Sequence, residues 1–326
     1  MRYAVDDVEI AGGTVPARGA VVAWIGSANR DGAQFPDPHQ FDITRSGAKH
    51  QVAFQVRSAL LSYFTAGMTH LPPRRPETKD AMTSGTATAT SPWFVRPQSG
   101  DHRAQLFCFP YSGSGASAFG AWPAAIDDVE VSPVQFPGRE NRLAAPHYGT
   151  YDNLAASLVE QLAPRSDRPF AFFGHCAGAL PAYETAVRLA ERGLRQPDCL
   201  FVSGQPAPHD ASRDRMLAMT ESKLHAELES VVRGRGIEPR PDMIDVGLAV
   251  LLRDLAAASE YRRTEPVAVG CPIVVLHWRD DPDVSLDQLE GWRQYADTVE
   301  FRVLDGGHLD FLKAPEELLK LLTSWG

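Results

Sequence analysis

The chain is 326 residues long, 44% hydrophobic and 22% charged, with a formal net charge of −9. That size and balance describe a globular chain with one large domain or two small ones, and argue against disorder of the whole. The negative charge and the lack of a basic cluster interleaved with aromatics argue against nucleic acid as the main partner, leaving a small molecule or another protein.

The N-terminus, Met1-Arg2-Tyr3-Ala4-Val5-Asp6-Asp7, carries acids where a signal peptide needs its apolar core, and no stretch is long enough to span a bilayer. A cytoplasmic protein without membrane association is therefore expected. Between about Thr65 and Gln98 the composition is that of a linker, as in Leu71-Pro72-Pro73-Arg74-Arg75-Pro76 and Thr83-Ser84-Gly85-Thr86-Ala87-Thr88. The boundary is placed near residue 92, which divides the chain into a segment 1–81, a linker 82–92 and a domain 93–326.

Beyond the linker, short apolar runs predict strands at Ala104–Phe109, Val129–Gln135, Pro169–Phe173, Cys199–Ser203, Pro272–His277 and Val299–Leu304. Between and after them, Asp152–Leu162, Gly178–Arg192, Leu286–Tyr295 and Glu316–Leu322 carry apolar residues at helical spacing. Strands alternating with helices imply an α/β fold, a mostly parallel sheet covered on both faces. The polar, helical stretch from about Pro206 to Thr264 has no strand signal and reads as a lid. Its arginines, Arg213, Arg215, Arg233, Arg235, Arg262 and Arg263, read as a solvated face.

Four features carry chemistry. After the first strand, Phe109-Pro110-Tyr111-Ser112-Gly113-Ser114-Gly115-Ala116 allows a tight loop whose backbone N–H can join that of Ala177 in an oxyanion hole. This loop lacks the lysine and spacing of phosphate-binding motifs. After the third, Gly174-His175-Cys176-Ala177-Gly178 has the G-x-S-x-G pattern of a nucleophile elbow, with a thiol in place of the hydroxyl. After the fifth comes Asp280-Asp281-Pro282-Asp283, and after the sixth Gly306-Gly307-His308. The order nucleophile, acid, base is that of an α/β-hydrolase triad: Cys176, Asp281 and His308, with Asp280 or Asp283 as alternative acids. The spacing of Cys108, Cys176, Cys199 and Cys271 gives no disulfide framework, and a reducing compartment would keep Cys176 a thiol.

Residues Trp93 to Gly326 resemble the type II thioesterases, stand-alone α/β-hydrolases of polyketide and nonribosomal peptide synthesis. The likeness is carried by Leu106-Phe107-Cys108-Phe109-Pro110-Tyr111-Ser112-Gly113, Gln135-Phe136-Pro137-Gly138-Arg139-Glu140-Asn141-Arg142, Phe172-Phe173-Gly174-His175-Cys176-Ala177-Gly178-Ala179, Val202-Ser203-Gly204-Gln205-Pro206-Ala207-Pro208, Asp281-Pro282-Asp283-Val284-Ser285 and Gly306-Gly307-His308. The resemblance implies a monomer that acts on acyl or peptidyl carrier proteins and needs no cofactor or metal of its own, its substrate arriving on phosphopantetheine. Cys176 then matches the nucleophile, Asp281 the acid, His308 the base, and Ala177 and Tyr111 the oxyanion donors. Two departures stand out: cysteine replaces serine, and Leu276-His277-Trp278-Arg279 replaces a glycine pair before the acid. The sulfur leaves three outcomes open: hydrolysis, transfer between carriers through an acyl-cysteine, and silent carrier binding.

The N-terminal segment has its own likeness. Val8-Glu9-Ile10-Ala11-Gly12-Gly13-Thr14-Val15-Pro16-Ala17, Gly26-Ser27-Ala28-Asn29-Arg30-Asp31 and Phe35-Pro36-Asp37-Pro38-His39-Gln40-Phe41-Asp42 resemble the stretch before the haem loop of bacterial cytochrome monooxygenases. The likeness ends near Phe54, and no cysteine precedes Cys108, so haem-thiolate ligation is ruled out. The segment reads as a non-functional, partly disordered remnant, with Met82 as the ancestral start.

Overall fold

The computed structural model describes residues 91–99, 101–213, 215–234, 238–263 and 265–325, and four short strands before them. Two compact units divide at Gly85 and Thr86. In the first, β1 (Arg2–Tyr3) pairs antiparallel with β4 (Ala20–Val21), and β2 (Val8–Ile10) with β3 (Gly13–Val15). The rest of the monooxygenase-like segment lies outside the described residues.

The second unit is built on a seven-stranded sheet. Its strands are β5 (Ala104–Phe109), β6 (Ala125–Ile126), β7 (Val129–Pro133), β8 (Phe170–His175), β9 (Cys199–Ser203), β10 (Ile273–Trp278) and β11 (Val299–Leu304), in the order β11-β10-β9-β8-β5-β7-β6. All pairs are parallel except β6 with β7. The two-residue β6 turns back on β7 at the edge, too short for a periodicity signal. Every residue of β5, β8 and β9 is buried, as expected of strands covered on both faces.

Side chains alternate across the sheet and split the core in two. On one face Phe107, Phe109, Phe170 and Phe172 pack with Leu154 and Leu158 of α1 (Tyr151–Leu162) and Ala182 and Tyr183 of α2 (Ala179–Glu191). On the other, Leu106, Cys108, Ala171 and Phe173 pack with Phe119, Trp122 and Phe311. The stretch read as a lid contains α3 (Glu221–Gly234) and α4 (Pro241–Glu260), which share a small apolar core around Leu224, Leu248, Leu251 and Leu255. After β10 and β11 come the short helices α5 (Leu286–Leu289) and α6 (Glu316–Leu321).

One expectation for the lid needs correction. Arg263 is not part of a solvated face: its guanidinium donates Nε–H and Nη2–H, both at 2.8 Å, to the two oxygens of Glu184, a buried residue of α2. Tyr261 OH donates to the same carboxylate at 2.6 Å, so the end of α4 is tied to the helix that follows the elbow. Arg233 does pair on the surface, with Glu229. Arg235 and the side chains of Arg213 and Arg215 lie outside the described residues. Among the described residues, no helix is long and apolar enough to cross a membrane.

Candidate active site

Strand β8 ends at His175 in extended backbone (φ −113°, ψ 142°), and Cys176 follows at φ +50° before α2 begins at Ala179. A non-glycine residue in the left-handed region costs about 1–3 kcal/mol and persists only where the surroundings over-determine it. Here the surroundings do. A Cβ on Gly174 would lie 2.5 Å from Ala179 Cα, and one on Gly178 would lie 2.6 Å from the carbonyl oxygens of Phe109 and Pro110. The two glycines let strand, helix and the β5 loop approach closely enough to hold the turn. Gly174→Ala is therefore expected to lose about 1–3 kcal/mol in urea denaturation, because every nearest atom is backbone and cannot rotate away.

Cys176 is half-exposed, whereas Cys108, Cys199 and Cys271 are buried. Burial pushes all three of those thiols up, Cys271 to about 12. Only Cys176 among the four combines access with a position at the head of a helix.

The loops after β10 and β11 bring Asp281 and His308 together. His308 Nδ1 lies 2.8 Å from Asp281 Oδ2, and Asp281 Oδ1 accepts the N–H groups of Asp283 at 2.8 Å and Val284 at 3.2 Å. Burial works against a charge on His308. Hydrogen bonds to Asp281 and to Cys176 and the charges of both outweigh it, and raise the imidazole to about 10. Burial likewise opposes charge on Asp281, but the bond to His308 and the two backbone donors leave its carboxyl below the usual carboxylate value. Because the folded pKa of His308 exceeds the ordinary value of about 6.5, its contribution to stability is complete below that value and is lost as pH rises through about 10.

Beside His308, with ring centroids 4.6 Å apart, His175 Nδ1 lies 2.9 Å from Ser203 Oγ, and that oxygen accepts Trp278 Nε1–H at 3.0 Å. Burial first, and then the charge of His308, push His175 well below the usual histidine value. It is a neutral spacer stacked on Phe311 at 4.0 Å. Trp278 stands where a glycine pair was the alternative. It is fully buried, and Asp280 N–H bonds Gly306 O at 3.0 Å, so the acid and base loops are laced together. Gly204 (φ +56°) completes the floor, since a Cβ there would come within 3.3 Å of His308 Cε1 and 3.4 Å of Asp281 Oδ2.

The loop after β5 carries Tyr111 and Gly113 into a cavity of about 360 Å³ that is also lined by Cys176, His308, Met216, Leu228 and Leu251. The close approach of Gly178 to Phe109 and Pro110 packs the head of α2 against the loop that carries Tyr111. Oxygens of Asp281 and Asp283 and a nitrogen of His308 lie within 4.8 Å of one another. That donor set could interest a cation, but Asp281 already receives His308 and two backbone N–H groups, so its oxygens are occupied.

Of the residues singled out in the sequence, Tyr111, Cys176, Asp283 and His308 border this cavity, and Asp281 bonds to His308 and Asp283. Of the alternative acids, Asp283 offers its backbone N–H to Asp281, and Asp280 its N–H to Gly306. Sequence reasoning missed Asp254, a 1% exposed carboxylate on α4. The available signal was a lone acid on the apolar face of a helix, three residues after Leu251 and next to Leu255.

Among curated proteins, the chain is 34% identical over 242 residues to the AMB antimetabolite synthetase AmbE of Pseudomonas aeruginosa, which is 73% of this chain but 11% of AmbE. It is 31% identical over 237 residues to the gramicidin S biosynthesis protein GrsT of Aneurinibacillus migulanus, 71% of this chain and 92% of GrsT. Among solved structures, the type II thioesterase BorB from the borrelidin biosynthetic cluster superposes with a TM-score of 0.60 at 30% identity, covering 73% of this chain and 97% of BorB. Residues 104–325 match the thioesterase domain family, an α/β-hydrolase fold, and the chain belongs to that family.

Proposed function

We propose that the chain is a type II thioesterase that uses Cys176, His308 and Asp281 to hydrolyse acyl or aminoacyl thioesters held on the phosphopantetheine arm of carrier proteins in a polyketide or nonribosomal peptide pathway. Its family makes it a thioester hydrolase. The carrier-bound substrate is supported by the likeness to GrsT and BorB. The observation that carries the reading is Cys176 at φ +50°, in hydrogen-bonding reach of a His308 that Asp281 holds from the other side. We assign the reaction to residues 93–326, with 1–81 contributing nothing to it.

Cys176 Sγ, with protonated His308 beside it, attacks the thioester carbon, and the carbonyl oxygen gathers charge against the N–H groups of Ala177 and Tyr111. The carbon–sulfur bond to pantetheine breaks, and His308 gives its proton to the departing thiolate. His308 then takes a proton from water, which attacks the acyl-cysteine. A free acid leaves and the thiol is restored.

The sulfur favours a second reading. Acyl-Cys176 is itself a thioester, so passing the acyl group to another pantetheine thiol is nearly thermoneutral, and transfer between carriers competes with water. Incubation with an acyl-carrier protein, with and without a second empty carrier, separates the two. Intact mass is expected to show one acyl group on Cys176, and free acid is expected as the main product in both arms. Acyl group on the second carrier would favour transfer. No adduct and no free acid would leave a silent carrier-binding protein.

A further inference from the structure

Asp254 is a carboxylate inside the apolar seam between the lid and the domain, and the steps proposed above give it no part. Five donors converge on it. Oδ2 accepts Gly113 N–H at 2.8 Å and Arg139 Nη1–H at 2.7 Å, while Oδ1 accepts Arg139 Nη2–H at 2.6 Å and Tyr148 OH at 2.7 Å and lies 2.7 Å from His147 Nε2. These contacts outweigh the burial of the charge and lower the carboxyl to about 2. As a mere anchor for a helix this is an expensive choice, because an apolar pair of similar volume commonly serves stability as well or better.

What distinguishes the arrangement is the donor from Gly113. That N–H belongs to the oxyanion loop, in a turn where Tyr111 O accepts Ser114 N–H at 3.1 Å and Ser114 Oγ–H at 2.7 Å. Gly113 sits at φ +77°, and a Cβ there would lie 3.2 Å from Leu251 Cβ, one turn before Asp254 on α4. Arg139 closes the circuit by donating to Ser114 O at 2.9 Å. The peptide two residues after Tyr111 is thus held by a lid side chain, and the residue after that by the partner of the same side chain.

We propose that Asp254, seated by Arg139, is a positioning residue for the oxyanion hole: it holds the Gly113 N–H and thereby fixes the Tyr111 peptide, so that the hole is assembled only while α4 is in place. The proposal rests on Cys176 as the nucleophile and on Tyr111 as an oxyanion donor. It makes the lid part of the chemistry as well as a cover over the acyl group.

Two reactions at the same sulfur test it. In acylation by an acyl N-acetylcysteamine thioester, a bond forms from Sγ to the acyl carbon, the carbonyl oxygen passes through an oxyanion, and N-acetylcysteamine leaves with the proton from His308. In alkylation by iodoacetamide, a bond forms from Sγ to the methylene carbon and iodide leaves, with no oxyanion. Both report on Cys176 and His308, and only the first needs the hole. Asp254→Ala is expected to slow acylation about 100-fold, the scale of a lost oxyanion donor, with alkylation within about twofold of wild type. Since that variant leaves Arg139 buried without its partner, the double change Asp254→Leu with Arg139→Leu is measured beside it, and is expected to fold and show the same split. Equal loss of both reactions in the double variant at wild-type melting temperature, or no loss of either, would overturn the proposal. If wild type itself is alkylated but never acylated, the nucleophile assignment has failed, an outcome distinct from either.

Discussion

Asp281→Asn is expected to lower kcat on acyl thioesters by about 10⁴-fold while KM and the melting temperature change little, because the substitution leaves the geometry intact and imposes the wrong tautomer. The structure dictates which way the new amide must face. Oδ1 of Asp281 accepts the N–H groups of Asp283 and Val284, so the asparagine oxygen has to stay there. Its NH₂ then points at His308 Nδ1, 2.8 Å away, and donates to it. That bond forces the imidazole proton onto Nε2, the nitrogen that must receive a proton on the Cys176 side. A loss below about tenfold in steady-state kinetics would place the acid elsewhere, with Asp283 the residue to change next.

Cys176→Ser is expected to separate hydrolysis from transfer and to change the pH dependence. An acyl-serine is an ester and lies below the incoming thioester in free energy, so hydrolysis survives or rises while transfer to a second carrier falls at least about 100-fold, the factor that about 2.7 kcal/mol supplies. The pH profile follows from the groups that hold His308. In the wild type, hydrogen bonds to Asp281 and Cys176 outweigh burial and keep the imidazolium up to about 10. Since kcat/KM reports the free enzyme, it is expected to stay level between about pH 7 and pH 9 and to fall above that as His308 loses its proton. The serine variant needs a neutral imidazole to remove the hydroxyl proton, and its His308 lacks the contact with the Cys176 sulfur that favoured the charge. Its kcat/KM is expected to rise with pH through the ordinary histidine range near about 6.5. Parallel profiles for the two proteins, or undiminished transfer by the serine variant, would show that the sulfur does not set the chemistry.

Much of the fold was legible because its signals are local. The boundaries of β5, β9 and β11 coincide with the apolar runs read from the sequence, and those of β8, β10, α1 and α2 differ by a residue or two. A buried parallel strand must be continuously apolar and a covering helix must repeat near every third or fourth residue, so each element announces itself within its own length. The elbow was legible for a related reason: a left-handed Cys176 between a strand and a helix leaves no room for side chains at Gly174 and Gly178. Asp281 and His308 were placed by rule, each following a strand, because a parallel sheet delivers its C-terminal ends to one edge.

The sequence by itself determined the strand and helix order, the sharp turn at Cys176 and the places of Asp281 and His308 after later strands, all of which follow from short-range sterics and periodicity. The tertiary structure alone decided the orientation of Asp281, the role of Trp278 and His175 beneath it, the bond between Arg263 and Glu184, and the meeting of Asp254 with Gly113 and Arg139 across 141 and 115 residues. A buried charge has no signature of its partner in its own neighbourhood. Its energy depends on which donors the fold brings to it, and only the packed lid and loops supply them.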